Sequence, residues 1–189
     1  MPSLHGTSRR LGASPHPDHR PPAFRRLSAA IATLLATAVL APPVTADAPI
    51  IGKADSVLTG DTLVIAGTTY RLWGIDAPDP DQPCVNGAAQ AYACGTTARI
   101  LLGALTRDRL LTCRVKDRTS SGTALASCVL EGYDLAGLMV ASGNAFDDPA
   151  TSGGAYARQE QEARAERLGM WSGPFVKPAD WRRNRLGMR

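Results

Sequence analysis

Along this chain the apolar positions fall in short blocks, and the period of the blocks changes along the chain. Ile50–Leu58, Thr62–Ala66 and Thr69–Gly74 are β-branched or alternating stretches parted by Thr59-Gly60-Asp61 and Gly67-Thr68. Side chains on a strand face opposite ways in turn, so alternating stretches bounded by turn residues predict a meander of three strands. Gly74–Asn86 (GIDAPDPDQPCVN) is a Pro- and Asp-rich loop, and Thr96–Leu105 carries Ala98, Leu101, Leu102 and Leu105 at helical spacing. Leu110–Lys116 and Thr123–Leu130 predict a hairpin around the polar loop Asp117–Gly122. Leu135–Ser142 is a short helix stopped by Gly143, and Asp147–Gly154 is a loop. Tyr156–Leu168 is a second polar-faced helix with Arg158/Glu162 and Glu160/Arg164 four residues apart, stopped by Gly169. Beyond it the chain shows no period and predicts irregular structure ending in a frayed, solvated tail, Arg182–Arg189. Five strands with helices inserted or appended make one α+β domain, for which a small closed barrel is a fitting architecture.

The first block differs from the rest. Residues 1–26 are basic and Pro-rich, Leu27–Leu40 is an uncharged run of 14 residues, and small residues with two prolines follow. This is the order of a secretory signal, with cleavage expected after Ala46. A spanning helix needs about 20 apolar residues, so an uncleaved anchor fits less well. Neither Arg9-Arg10 nor Arg25-Arg26 carries the fuller pattern of a twin-arginine signal, so a general secretory route to a secreted or periplasmic location is expected.

Export changes the meaning of charge and cysteine. The whole chain has a net charge of +4, which taken alone suggests an anionic partner. Residues 1–46 hold five arginines and one acid, so the remainder has 16 basic and 16 acidic residues. His5, His16 and His19 are the only histidines, and all three lie in that segment. A mature chain without them excludes Ser-His-Asp and Cys-His catalysis and His-ligated zinc. The four cysteines all lie in the mature part; an even number in an exported chain favours disulfides, and no CxxC knuckle supports a zinc site. A symmetric hairpin centred between Ser120 and Ser121 sets Cys113 opposite Cys128, within bridging distance. Cys84 and Cys94 then pair by elimination.

Asp61, Asp76, Asp79 and Asp81 stand near strand ends with Arg71 between the first two. Carboxylates without histidine suit a hard cation, and the planar fork of an arginine suits phosphate. Aspartates in GD and DAPDPD contexts are equally what turns look like. The aromatic residues Trp73, Phe146, Tyr156, Trp171 and Trp181 are expected to pack rather than to stack bases, and Glu160, Glu162 and Glu166 to form a solvated helix face.

The order of these residues is more specific than their types. Gly60-Asp61-Thr62-Leu63, Arg71-Leu72-Trp73-Gly74-Ile75-Asp76-Ala77-Pro78, Gln82, Cys94-Gly95, Ala98, Leu125-Ala126 and Gly169-Met170-Trp171-Ser172-Gly173 together resemble the thermonuclease family, the staphylococcal-nuclease-like domain. The resemblance runs from about residue 50 to Trp181. It implies an α+β fold, a five-stranded OB-fold barrel with three helices, over residues 47–181, followed by a basic tail at 182–189. It also implies Ca2+-dependent hydrolysis of phosphodiester bonds in DNA or RNA. In that pattern Asp61 and Asp76 are the metal-binding aspartates, with the carbonyl of Ala77 as a further ligand. Arg71 holds the scissile phosphate. Asp79 stands in the place of a glutamate that activates or positions water.

Two departures bear on activity. Glu shortened to Asp withdraws the carboxylate by one methylene, and a misplacement of about 1 Å can cost on the order of 10²-fold in rate. Where the resemblance expects a second phosphate-binding arginine in the hairpin turn, Thr123 stands. Arg118, five residues earlier, is the candidate to swing into that place. The alternative is a catalytically inactive OB-fold module that binds nucleic acid or a protein partner; a scaffold without nucleic-acid affinity is a third reading. A monomer without stable membrane association after signal cleavage is expected. Strand alternation sets one difficulty: a turn at Gly67-Thr68 pairs Asp61 with Gly74 and puts Asp61 and Arg71 on opposite faces, so a bulge or bend near Gly74 is needed for them to meet.

Overall fold

The computed structural model describes residues Ala48–Gly187; the expected export signal and the last two residues lie outside them. Along the chain run β1 (Ile50–Gly52), β2 (Ala54–Thr59), β3 (Thr62–Ile65), β4 (Thr68–Leu72), β5 (Ile75–Asp76), β6 (Pro83–Val85), β7 (Ala91–Ala93) and α1 (Cys94–Thr106). These are followed by β8 (Leu111–Arg118), β9 (Ala124–Leu130), β10 (Tyr133–Asp134), α2 (Leu135–Ala141) and β11 (Phe146–Asp147). The remainder is helical: α3 (Pro149–Ser152), α4 (Ala157–Ala165), a 3-10 turn (Gly169–Ser172) and α5 (Pro178–Gly187).

The main sheet runs β1-β8-β9-β4-β3-β2, with β10 added on β9. All its pairings are antiparallel except β4 with β9. The alternation along each strand decides which face is covered. Leu63 and Ile65 of β3, Leu111 and Cys113 of β8, and Ala126, Cys128 and Leu130 of β9 turn inward, and α1 and α2 close over them with Ala98, Leu102, Leu135, Met139 and Val140. At roughly 1.5–3 kcal/mol for each large apolar side chain taken out of water, this layer is the main source of stability.

The two ends of the sheet path, β1 and β2, are consecutive in the chain and parted only by Lys53. One bent segment therefore serves two neighbours, β8 on one half and β3 on the other. The bend needs a residue without a side chain: a Cβ on Gly52 would stand 2.7 Å from Ile65 Cγ2. Among the described residues no ladder pairs β1 with β2; the two ends of this mixed sheet are joined through the bend at Lys53, so the sheet curls back on itself. Five helices stand where three were expected. The additional ones have local causes. α3 begins with Pro149 and stops at Gly153, φ 65°. α5 begins with Pro178, has Asp180 in its first turn and Arg185 in its last, so the tail expected to be irregular is helical through Gly187.

The hairpin is closer to expectation. Cys113 faces Cys128 directly, and the two are bonded with Cα atoms 4.0 Å apart. The pairing is not symmetric throughout, because a bulge between Val115 and Asp117 shifts the register toward the turn. Cys84 and Cys94 form the second disulfide, in a satellite core with Phe146 and Met170, against which Trp171 and Phe175 pack. The loop Gly74–Asn86 contributes one strand to each of two short ladders, β5 on β11 and β6 on β7. No described helix is long and apolar enough to cross a membrane.

Candidate active site

The turn between β2 and β3 consists of Gly60 and Asp61, since Thr59 pairs with Thr62. Gly60 sets its depth: a Cβ there would stand 2.6 Å from Ala98 Cβ and 2.9 Å from Ala77 Cβ. Asp61 is drawn beneath the surface at this turn and is 5 % exposed. A carboxylate that has lost water needs partners, and it has four. Thr59 Oγ1 and Thr62 Oγ1 donate to Oδ1 at 2.7 and 2.8 Å, while Arg71 Nε at 2.9 Å and the Ala77 N–H at 3.4 Å donate to Oδ2.

Arg71 and Asp61 meet without a bend at Gly74. The β3–β4 turn is Ala66-Gly67, one residue earlier than expected, with φ of 49° and 71°. It pairs Thr62 with Arg71, which puts these two on one face. Asp61 lies outside β3, in the turn, so alternation does not bind its side chain, and the irregularity that helps is in β2, between Val57 and Thr59. The Arg71 fork then spans both aspartates, with Nη2 donating to Asp76 Oδ1 at 2.8 Å. Asp76 is held by the β5–β11 ladder, opposite Phe146.

Asp79 joins this group through an arginine of the C-terminal segment, where a frayed tail is expected from sequence. Arg182 of α5 donates from Nη2 to both Asp76 oxygens at 2.7 Å and from Nη1 to Asp79 Oδ1 at 3.1 Å. Asp79 is fixed by its backbone: Gly95, in the first turn of α1, packs so closely that a Cβ would fall 1.7 Å from the Asp79 carbonyl oxygen. α5 is anchored further by Arg185 on Asp81 at 2.5 Å and by the buried Gln82, whose Nε2 donates to the Val176 carbonyl at 2.7 Å. The signals for α5 were present in Pro178, Asp180 and Arg185, but its contacts reach across 106 residues and leave no local pattern.

Arg118 is placed differently. It stands exposed at the end of β8 and donates from Nη1 to the Gly122 carbonyl of its own loop at 3.2 Å. It borders a cavity of about 270 Å3 whose wall includes Arg71, Thr119 and Asp148. On the other side of Arg71 lies a cleft of about 240 Å3 walled by Thr59, Asp61, Thr62, Ala77, Asp79 and Arg182. Thr123 is half-buried at the start of β9, its N–H bound to Thr119 Oγ1 at 3.0 Å.

The electrostatics follow from this packing. Burial pushes the Asp76 carboxyl above the ordinary carboxylate value, and the hydrogen bonds and charge of Arg182, then the charge of Arg71, oppose that rise without cancelling it. Burial disfavours the charged form of Arg71, but the charge and hydrogen bond of Asp61 more than offset it, so its pKa stands above the ordinary arginine value. Arg182 is raised likewise, burial being outweighed by Asp76 and then Asp79. Among the described residues no group of three or more acidic, histidine or cysteine side chains is gathered as a ready-made metal site, because the two guanidinium groups hold the carboxylates. The donor set nevertheless fits a hard divalent cation in kind: all ligand atoms are oxygen, and the desolvated Asp76 carries a charge that a cation would stabilise.

Four of the five aromatic residues named above pack on other rings, and Trp181 lies beside the Arg185 guanidinium instead. Phe146, Trp171 and Phe175 form a cluster with ring centroids 5.0–5.3 Å apart, and Trp73 meets Tyr156 edge-on. Glu160 departs from the solvated face: its Oε2 accepts the Asp147 N–H at 2.8 Å.

Carboxylates and guanidinium groups interleaved in an open cleft define a site suited to phosphate chemistry. Residues 69–173 match the model of the staphylococcal nuclease homologue family, and the chain belongs to that family. It is also 34% identical over 158 residues to the succinoglycan biosynthesis protein ExoI of Rhizobium meliloti (strain 1021), the match covering 80% of this chain and 82% of that protein.

Proposed function

We propose that this protein is an exported nuclease that hydrolyses phosphodiester bonds in DNA or RNA with the help of Ca2+. The observation that carries the reading is the single fork of Arg71 spanning Asp61 and Asp76 in a cleft that also contains Asp79. Asp61 and Asp76, with the Ala77 carbonyl, would hold the cation, which when bound polarises the phosphate. Arg71 stabilises the charge that grows on the phosphorus-bound oxygens. Asp79 positions water in line with the scissile bond. Arg118, across Arg71 from the acidic cleft, binds a neighbouring phosphate of the strand.

Residues 1–46 are, on this reading, a signal peptide removed on export, and the mature chain is a secreted or periplasmic monomer. Both disulfides suit an oxidising compartment. The curled sheet is an OB-type barrel whose β1–β2 bend stands in for a closing ladder.

Incubating the mature protein with single-stranded DNA, first with Ca2+ and then with chelator, tests the proposal. Cleavage that needs Ca2+ and disappears in Asp61→Ala is the expected result. Retention of the strand without cleavage supports the second reading, a binding module; the observation in its favour is that position 123 of the turn is a threonine and the nearby Arg118 guanidinium is bound to the Gly122 carbonyl of its own loop. Neither cleavage nor retention rejects both.

A further inference from the structure

We propose that Arg182 of α5 is the second phosphate-binding guanidinium of this cleft, delivered by the C-terminal helix instead of by the β8–β9 turn. The inference rests on the nuclease reading and adds a residue to it. Arg182 lines the same cleft as Arg71, Asp61 and Asp79, and its fork already points at the carboxylates of Asp76 and Asp79. It is partly open to solvent, with 37% of its side-chain surface exposed, so an incoming ligand can reach it. The helix that carries it is anchored by the buried Gln82 and by Arg185 on Asp81, so the guanidinium group is presented from a fixed base and not from a loose tail.

Charge explains why a second guanidinium belongs there. Asp61, Asp76 and Asp79 set three negative charges against the two positive charges of Arg71 and Arg182. The remaining negative charge attracts a divalent cation; the combined excess of one positive charge then matches one phosphodiester. The cation and Arg182 compete for the Asp76 oxygens. A phosphate in the cleft offers the fork an acceptor with the same charge and bidentate geometry as the carboxylate it gives up. At the turn, Thr123 can supply no such fork.

The test compares the full mature chain with Arg182→Ala, Arg182→Lys and Arg183→Ala. Calorimetry reads Ca2+ affinity, and fluorescence anisotropy reads binding of a phosphorothioate-linked single-stranded oligonucleotide in Ca2+; kcat and KM are taken on a cleavable strand. In Arg182→Ala, Ca2+ is expected to bind more tightly because its competitor is gone. The oligonucleotide is expected to bind about tenfold more weakly, from the loss of a charge-assisted contact, and kcat to fall by about 10³-fold. Arg182→Lys keeps the charge without the fork and recovers part of both; Arg183→Ala, which removes an exposed arginine paired with Asp180 of its own helix, keeps wild-type kcat. If Arg182→Ala binds the oligonucleotide as tightly as wild type, or cleaves as fast or faster, Arg182 is a plug over the acids and the proposal is overturned. If the wild-type chain binds neither Ca2+ nor the oligonucleotide, the nuclease reading fails, and this inference with it.

Discussion

Two regions flank Arg71, and they are built on opposite principles. The tip of the β8–β9 hairpin is exposed, and its arginine, Arg118, is bound only to its own loop. The acidic loop on the other side is covered by a helix from the far end of the chain, and Arg182 bonds two of its carboxylates at once. A hairpin tip can place a charge near a site, but each exposed contact there competes with water and contributes at most about 1 kcal/mol. A helix docked over a partly buried acid cluster loses that competition less often. The lesson is that the guanidinium groups of a phosphate site need not come from neighbouring turns when a remote element fixes them better.

The largest test of the contrast is at the point both regions share. Asp61→Ala is expected to lower Ca2+-dependent cleavage by roughly 10³-fold, the equivalent of several kcal/mol of charge stabilisation. The same change strips Arg71 of its main partner. Because Arg71 keeps 34% of its side-chain surface open, the stability loss should lie near the low end for a broken buried pair, about 3 kcal/mol by denaturant titration.

Next in size are the disulfides, one in each region. Replacing Cys113 and Cys128 by alanine, or Cys84 and Cys94, should each cost about 2–3 kcal/mol from the loop that is no longer closed. Only the Cys84/Cys94 variant, beside the acidic loop, should also weaken Ca2+ binding in calorimetry. Equal effects on Ca2+ would mean that the two regions are mechanically coupled.

Tyr156 supports the site from below, against Gly74 and Trp73. Burial raises its pKa well beyond the ordinary tyrosine value, and a hydrogen bond to Asp134 and the charges of Asp134 and Asp147 add to the rise. A phenol raised in the folded state contributes its stability fully below the unfolded value near 10, and that contribution is lost as pH climbs beyond it. Thermal melts should therefore show a decline above about pH 10 that is shallower in Tyr156→Phe.

The smallest effect is expected at the tip. Arg118→Ala should raise KM a few-fold, leave kcat near wild type and change stability by less than about 0.5 kcal/mol. A large loss of kcat in this variant would reverse the order of the two regions.

Much of this arrangement was legible in the sequence, for identifiable reasons. The meander, the hairpin and α1 are dictated by periods of two and 3.6 residues, and the facing cysteines followed from hairpin symmetry because the bulge lies beyond them. Asp61, Arg71 and Asp76 were found by their order, although the register offered was wrong by one turn position. Ala66 at φ 49° gives no composition signal, and it moved the turn. α4 ends three residues before the expected Leu168, and Arg167 takes φ 55° just ahead of Gly169. α5 escaped because it is almost wholly polar: Pro178 is its one buried residue, so no hydrophobic stripe marks it. The partners of Arg182 were in view as loop aspartates, but a long-range ion pair has no spacing from which to be read.

The position of α5 also bears on where this protein should be said to end. The family model matches residues 69–173, so α5 lies wholly beyond that span, and Asp61 lies before it. A shortened chain cut to the matched span would keep Arg71, Asp76 and Asp79, yet lose the deepest acid and the helix that screens the other two. Its sheet would be missing three strands, β2 and β3 at one edge and β1 at the other, and the acidic loop would stand uncovered. The span of the family model and the working unit therefore have different boundaries here: Asp61 and Arg182, which complete the cleft around Arg71, both sit outside residues 69–173.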